Sequence, residues 1–311
     1  MKVLVTGSAG FIGYHLVKHL LAIGHEVYGY DALTDYYSRS LKDSRHKELS
    51  RIKGFVKVKA TELENLDFEN LFHMAAQPGV RLSSSNKSLY LKRNVIEFND
   101  VLDLALRKNA RLIYASSSSV YGVYTNAATE QQLMKPNSFY GLTKLIGENI
   151  AEFYAREYGL KAAGLRFFTV YGENGRPDMA YWIFLSQALR GNKINLFQKQ
   201  ATRDMTYIDD AIRGINCIFS NFEFENHEVF NISSEQVVTM ESVIEEYQCI
   251  LNREIPFSYT SSFEGDLNFT KADCTKIKEY GFQPKSSLKE GLNRFSQWYI
   301  RNQDFLQKMG L

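Results

Sequence analysis

KVLVTGSAGFIG, residues 2–13, governs how the rest of the chain is read. A short apolar run, Val3 to Val5, gives way to three glycines spaced GxxGxxG, Gly7, Gly10 and Gly13, and then to a helical pattern from Phe11 to Ile23. A strand that turns tightly into a helix points backbone N–H groups and the positive helix N-terminus at one spot, where a pyrophosphate docks. Gly7, Gly10, Phe11, Ile12 and Gly13 are therefore candidate dinucleotide contacts. Glycines that merely close a turn would look the same in isolation; the strand before them and the helix after them favour the dinucleotide. Asp31, eighteen residues beyond Gly13, ends the second strand. There it can accept from a ribose 2′-OH and repel a 2′-phosphate, so NAD is expected rather than NADP.

Outward from this turn the chain alternates short apolar strands with amphipathic helices, the pattern of a parallel sheet wound by right-handed crossovers. Strands are expected over Lys2–Thr6, Glu26–Asp31, Phe55–Val58, Asn70–Met74, Arg111–Ala115 and Ala162–Phe167. Gly24 sits where the first helix needs a left-handed C-terminal residue. Two long helices, about Ser85–Arg107 and Phe139–Tyr158, carry apolar residues on more than one side, which predicts a subunit interface and a homodimer. After Tyr171 the alternation weakens. The fold expected is α/β: a Rossmann-type doubly wound parallel sheet with a smaller, interleaved C-terminal substrate lobe. Residues 1–170 form the dinucleotide-binding unit, residues 171–311 are mainly the second lobe, and DDAIRGINCIF with EVFNIS, within about 205–232, returns to the main sheet.

Charge and cysteine usage exclude several classes. With 37 basic and 35 acidic residues, no bulk field favours nucleic acid or an anionic membrane. No apolar stretch approaches membrane-spanning length. Cys217, Cys249 and Cys274 lie far apart without metal-ligand spacing, so no metal is expected. Unpaired thiols, and an N-terminus that enters a strand directly, point to a cytoplasmic protein.

Tyr140 and Lys144 fall one helical turn apart on a helix that Asn137 or Ser138 can cap. A tyrosine hydroxyl ordinarily titrates near about 10, so a phenolate at neutral pH needs help of a few units. An adjacent ammonium and a positive nicotinamide would supply it. Ser116 to Ser119 close the preceding strand, at the carboxyl edge where such sheets bind ligands.

In order, TGSAGFIG, DALTDYYSRSLK, HMAAQPGVRLS, YASSSSVYG, YGLTK, GLRFFTVYGENGRPDMA and RDMTYIDD resemble the extended short-chain dehydrogenase/reductases, most closely the UDP-glucuronate 4-epimerases. The resemblance covers most of Met1 to Asp210 and extends more loosely to LNRFSQWY. It implies a UDP-sugar substrate, NAD, and a triad of Ser117, Tyr140 and Lys144. Tyr140 would take the 4-OH proton while hydride passes from sugar C4, Lys144 would hold the nicotinamide ribose, and Ser117 would steady O4. Related dehydratases carry acids just after the catalytic Ser/Thr, where this chain has Ser118 and Ser119. In the glucuronate epimerases the residues matching Ser118, Ser119, Thr169 and Arg176 bind the sugar carboxylate. The resemblance further implies diphosphate contact by Arg203, uridine-ribose contact by Asp266, and a cleft bordered by Arg81 and Ser83. The 21 Phe and 19 Tyr read mostly as core and lobe packing, with Phe197 a candidate to face the uracil.

Two departures stand out. KVKATELENLDF is shorter than the usual crossover and has Ala60 or Thr61 where the family places an Asp beside the adenine, which predicts a helix reduced to a turn and weaker NAD binding. Asn174 replaces the Trp common in the epimerases. Two alternatives stay open: a 4-epimerase of a neutral or N-acetylated UDP-hexose, differing only at the sugar pocket, and a non-catalytic NAD-holding subunit.

Overall fold

The computed structural model describes residues 1–197, 199, 201–261 and 267–311. In chain order its strands are β1 (Lys2–Thr6), β2 (Glu26–Tyr30), β3 (Phe55–Lys57), β4 (Asn70–His73), β5 (Arg111–Ser117), β6 (Ala162–Phe167), β7 (Thr169–Tyr171), β8 (Ile194–Leu196), β9 (Thr202–Tyr207), β10 (His227–Ile232), β11 (Gln236–Thr239) and β12 (Phe257–Tyr259). Seven of them form one parallel sheet in the order β10-β6-β5-β4-β1-β2-β3, the Rossmann-type arrangement. The order reverses between β1 and β4, and the crevice at that switch point is where such sheets bind ligands. Register places the site there: Thr6 pairs with Tyr30 on one side and His73 on the other, so Gly7, Asp31 and Met74 all emerge at one edge. Strand β5 runs three residues past its last pairing with β4, to Ser117 opposite Phe167, and carries its serines out to the same edge.

The helices used below are α1 (Phe11–Ala22), α2 (Arg39–Leu49), α3 (Lys87–Leu91), α4 (Glu97–Arg107), α5 (Phe139–Tyr158), α6 (Ala180–Leu189) and α7 (Ile208–Ser220). Helix α1 buries Phe11, Tyr14, Leu16, Val17 and Leu20 and ends before Gly24, whose φ is +89°. Helix α5 has the predicted bounds, with Ser138 as N-cap accepting from Gly141 N at 3.0 Å and Gly159 left-handed after its end. The helix expected over Ser85–Arg107 is instead α3, a π-turn at Lys92–Ile96, and α4. The extra residue lets Asn94 turn inward, where Oδ1 accepts from Gln77 N and Nδ2 donates to Gln77 O and to Thr143 Oγ1.

Helix α7 is followed by β10, which pairs in parallel with β6 at the sheet edge. The remaining strands form a three-stranded sheet, β11-β9-β7, and the pair β12-β8. The core is continuous through both regions: Phe72 of β4 meets Phe219 of α7 edge-on at 5.1 Å. The short crossover before β4 forms a six-residue 3₁₀ turn, Ala60–Asn65, tied down by Arg107 Nη2 to Glu64 Oε1 (2.5 Å) and Lys108 Nζ to Glu64 O (2.6 Å). Among the described residues no helix is long and apolar enough to cross a membrane.

Candidate active site

A cavity of about 800 Å³ follows the carboxyl edge of the sheet from the first glycine turn to the loop after β7. At one end the turn is built so that only glycine fits. A Cβ on Gly13 would stand 2.1 Å from Gly7 O, and Gly7, at φ +75°, would press one 2.6 Å from Ala75 N. Gly10 is the N-cap of α1 and offers no side chain to the first-turn N–H groups, which leaves them for an anion. Asp31 braces the turn: its carboxylate accepts from Ala9 N (3.0 Å) and Leu33 N (2.8 Å) and lines the cavity. This cradle fits a dinucleotide.

Ser117, Tyr140 and Lys144 meet in the middle. Ser117 Oγ accepts from Ser119 N at 3.2 Å, and Ser118 and Ser119 begin a 3₁₀ turn that lines the cavity beside it. Burial pushes the Tyr140 hydroxyl above its ordinary value, while a hydrogen bond from Ser117 and the field of Arg176 pull it back in part. A bound nicotinamide would add its charge in the same direction as Arg176. Lys144, nearly enclosed, is itself pushed down to about 8 by burial, against the pull of Glu148. Glu148 was not picked out in the sequence, although it lies one turn beyond Lys144 on α5. It accepts from Ser116 Oγ at 2.5 Å and from Arg166 through both oxygens.

At the far end stand Thr169, at the start of β7, Arg176, on the loop before α6, and Arg203 of β9; all three line the cavity. Arg203 Nη1 donates to Thr202 O at 2.9 Å. Arg176 is bound to Asp178 through Nε (3.1 Å) and Nη2 (2.6 Å), so the edge that would grip a ligand carboxylate in bidentate fashion is already taken. Arg81 and Ser83 do not line the cavity. Ser83 is turned inward, its Oγ donating to Val80 O at 2.6 Å, because a 3₁₀ turn at Arg81–Ser83 directs it that way. The Arg81 guanidinium packs over the Phe197 ring at 4.2 Å. Asp266 lies outside the described residues. Among the described residues no group of three or more His, Cys, Asp or Glu side chains could hold a metal.

A family model described as "NAD dependent epimerase/dehydratase family" matches residues 3–233. UDP-glucuronate 4-epimerase 4 of Arabidopsis thaliana is 35% identical, the match covering 96% of this chain and 75% of that protein. UDP-glucuronic acid 4-epimerase from Bacillus cereus, solved with UDP-glucuronic acid and NAD, superposes with a TM-score of 0.93 at 32% identity, over 97% of this chain and 99% of that one. The dTDP-glucose 4,6-dehydratase DesIV from Streptomyces venezuelae, solved with NAD, superposes at 0.91 with 26% identity, over 99% and 100% of the two chains.

Proposed function

This chain belongs to the NAD dependent epimerase/dehydratase family and is an NAD-dependent UDP-sugar 4-epimerase, an isomerase; we propose that its substrate is UDP-glucuronate, converted to UDP-galacturonate. The observation that carries this reading is the grouping, in one cavity, of Ser117, Tyr140 and Lys144 with the hydroxyls of Ser118, Ser119 and Thr169 and the guanidinium of Arg176. No acid follows Ser117, so the elimination chemistry of a dehydratase has no proton donor at those positions.

When bound, NAD supplies the reversible hydride acceptor for sugar C4. The chain's own residues do the rest. Tyr140 Oη, acting as the phenolate that Arg176, Ser117 and the charge of a bound nicotinamide would favour against burial, takes the proton of the sugar 4-OH and returns it after the 4-keto sugar has presented its other face. Ser117 Oγ donates to Tyr140 and steadies O4. Lys144 holds a positive charge within the enclosed site, sustained by Glu148. The cradle of Gly7, Gly10 and Gly13 with the N-terminus of α1 takes the cofactor pyrophosphate, and Asp31 takes the ribose. Arg203 serves the substrate diphosphate. A 4-keto uronate is a β-keto acid, which loses CO₂ when its carboxylate stands across the carbonyl plane; Ser118, Ser119, Thr169 and Arg176 hold it in another orientation.

The pairing of Arg176 with Asp178 favours one second reading, a neutral UDP-hexose, because it partly satisfies the cation that a uronate would use. NMR of the products formed by the holoenzyme from UDP-glucuronate and from UDP-glucose decides between them. UDP-galacturonate as the faster product supports the first reading; UDP-galactose as the faster product replaces it with the second. We further take residues 1–170 with about 205–232 as the cofactor-binding unit, a homodimer as the assembly, and the cytoplasm as the location, the last on the three free thiols Cys217, Cys249 and Cys274.

A further inference from the structure

Arg176 is held on three sides by residues that the reaction does not use. Its Nε and Nη2 donate to the two oxygens of Asp178, and Nη2 also donates to Tyr36 Oη at 3.3 Å. Tyr36 Oη in turn donates to Asp178 Oδ2 at 3.0 Å, which closes a ring of three side chains. The guanidinium lies over the Tyr36 ring, 5.4 Å from its centre. Burial keeps the Tyr36 hydroxyl protonated and so a donor; Asp178, although burial opposes it, is held below the ordinary carboxylate range by Arg176 and Tyr36.

The surroundings leave little room for another arrangement. Gly79, at φ +93°, provides the gap in which Tyr36 Oη sits, since a Cβ there would come within 2.2 Å of it. Pro177 confines Arg176 to extended backbone. The two residues before Arg176 are pinned from behind by Arg45 of α2, whose Nη2 donates to Asn174 O (2.7 Å) and Gly175 O (2.9 Å) while its Nη1 donates to Ala9 O and Tyr37 Oη, both at 2.8 Å. Tyr36 and Arg176 line the cavity, whereas Asp178 does not.

We propose that Asp178 and Tyr36 are positioning residues: they hold Arg176 by its Nε–Nη2 edge, present the Nη1 edge to the sugar pocket, and thereby set the preference for a uronate over a neutral hexose. The inference rests on the reading that Arg176 meets the uronate carboxylate. A guanidinium fixed in advance loses less side-chain freedom on binding, so its contact yields more discrimination than one from a mobile arginine. The same ring spans two parts of the chain, because Tyr36 follows β2, which ends at Tyr30, while Arg176 and Asp178 belong to the loop before α6.

The test is a double-mutant cycle on the holoenzyme. It reads kcat/KM for UDP-glucuronate relative to UDP-glucose in the wild type, Asp178→Asn, Arg176→Ala and the double variant. Asp178→Asn should lower the ratio about tenfold, mainly through KM, and Tyr36→Phe about threefold. In the Arg176→Ala background, Asp178→Asn should change it less than about twofold. A ratio that stays constant or rises in Asp178→Asn overturns the proposal, a rise meaning that Asp178 competes with the substrate carboxylate. An equal loss with Arg176 absent also overturns it, since Asp178 would then act elsewhere. Failure of the substrate reading has its own signature: a wild type that prefers UDP-glucose, with Arg176→Ala leaving the ratio unchanged, removes the uronate assignment and this proposal with it.

Discussion

Glu148 and Arg166 form a doubly bonded ion pair beneath the reacting groups, with Nε to Oε1 at 3.0 Å and Nη2 to Oε2 at 2.7 Å, their side chains 4% and 1% exposed. Removing one partner of such a pair leaves a charge buried without compensation. Glu148→Gln should therefore lose about 3–5 kcal/mol of stability, read as a shift in the urea unfolding midpoint. The Lys144 pKa should fall further as well, because the Glu148 charge is what raises it.

Tyr140→Phe removes only a hydroxyl. Its ring packs edge-on against Tyr90, with centres 6.2 Å apart, and that contact survives the change. Turnover should fall by about a hundredfold or more, with bound cofactor and melting temperature unchanged. Substantial residual turnover at equal cofactor content would take the proton-transfer role away from Tyr140.

Gly13→Ala meets backbone, which has no flexible end to move aside: its Cβ would lie 2.1 Å from Gly7 O. The start of α1 must shift and the cradle with it. The purified variant should carry little NAD(H), visible in the ratio of absorbance at 260 to 280 nm, and should melt earlier. Full cofactor content in this variant would place the pyrophosphate elsewhere.

Two enclosed histidines make the fold sensitive to acid. Burial pushes His73 down to about 3 and His15 down to about 4, from an ordinary value near 6.5. His73 Nδ1 pairs with Thr6 Oγ1 at 2.7 Å, and His15 Nε2 with Glu173 O at 2.8 Å. Between those values and about 6.5 the unfolded chain binds protons that the native state refuses, so both contributions are intact above the window and are lost as pH falls through it. Each histidine should remove up to about 1.4 kcal/mol per pH unit. Denaturant midpoints between pH 6.5 and 4 should decline less steeply in His15→Gln than in the wild type. Parallel slopes would mean that His15 accepts a proton in the folded state.

The proposed homodimer can be checked directly. Leu91 and Ile96 before α4, and Leu142 and Phe153 on α5, are apolar and exposed. Pairing these helices with their symmetry mates would bury them as a four-helix interface. Light scattering at micromolar concentration should give twice the chain mass of 35.8 kDa, and Phe153→Glu should weaken the association. A wild-type monomer would rule the interface out.

Much of the architecture was legible in the order of residues along the chain. Apolar strands alternating with helical periods imply the parallel sheet, and GxxGxxG between a strand and a helix implies the pyrophosphate turn. Ser138 and Gly159 mark the two ends of α5. These features follow from interactions within a few residues, hydrogen bonds along a helix or steric limits on one backbone angle, so they are written where they occur. The π-turn at Lys92–Ile96 was not legible, because it exists to bring Asn94 onto Gln77 and Thr143, neither of which is near it in sequence. Nor were the partners of the charged groups. That Arg176 is bound to Asp178 beneath Tyr36, that Arg45 spans Ala9 and Gly175, and that Glu148 is matched by Arg166 depend on packing between segments up to about 140 residues apart. The titration of Tyr140 belongs with them: YxxxK names its neighbour on the helix, but burial in the folded site raises its hydroxyl, and Ser117 and Arg176, both distant in sequence, pull it back only in part.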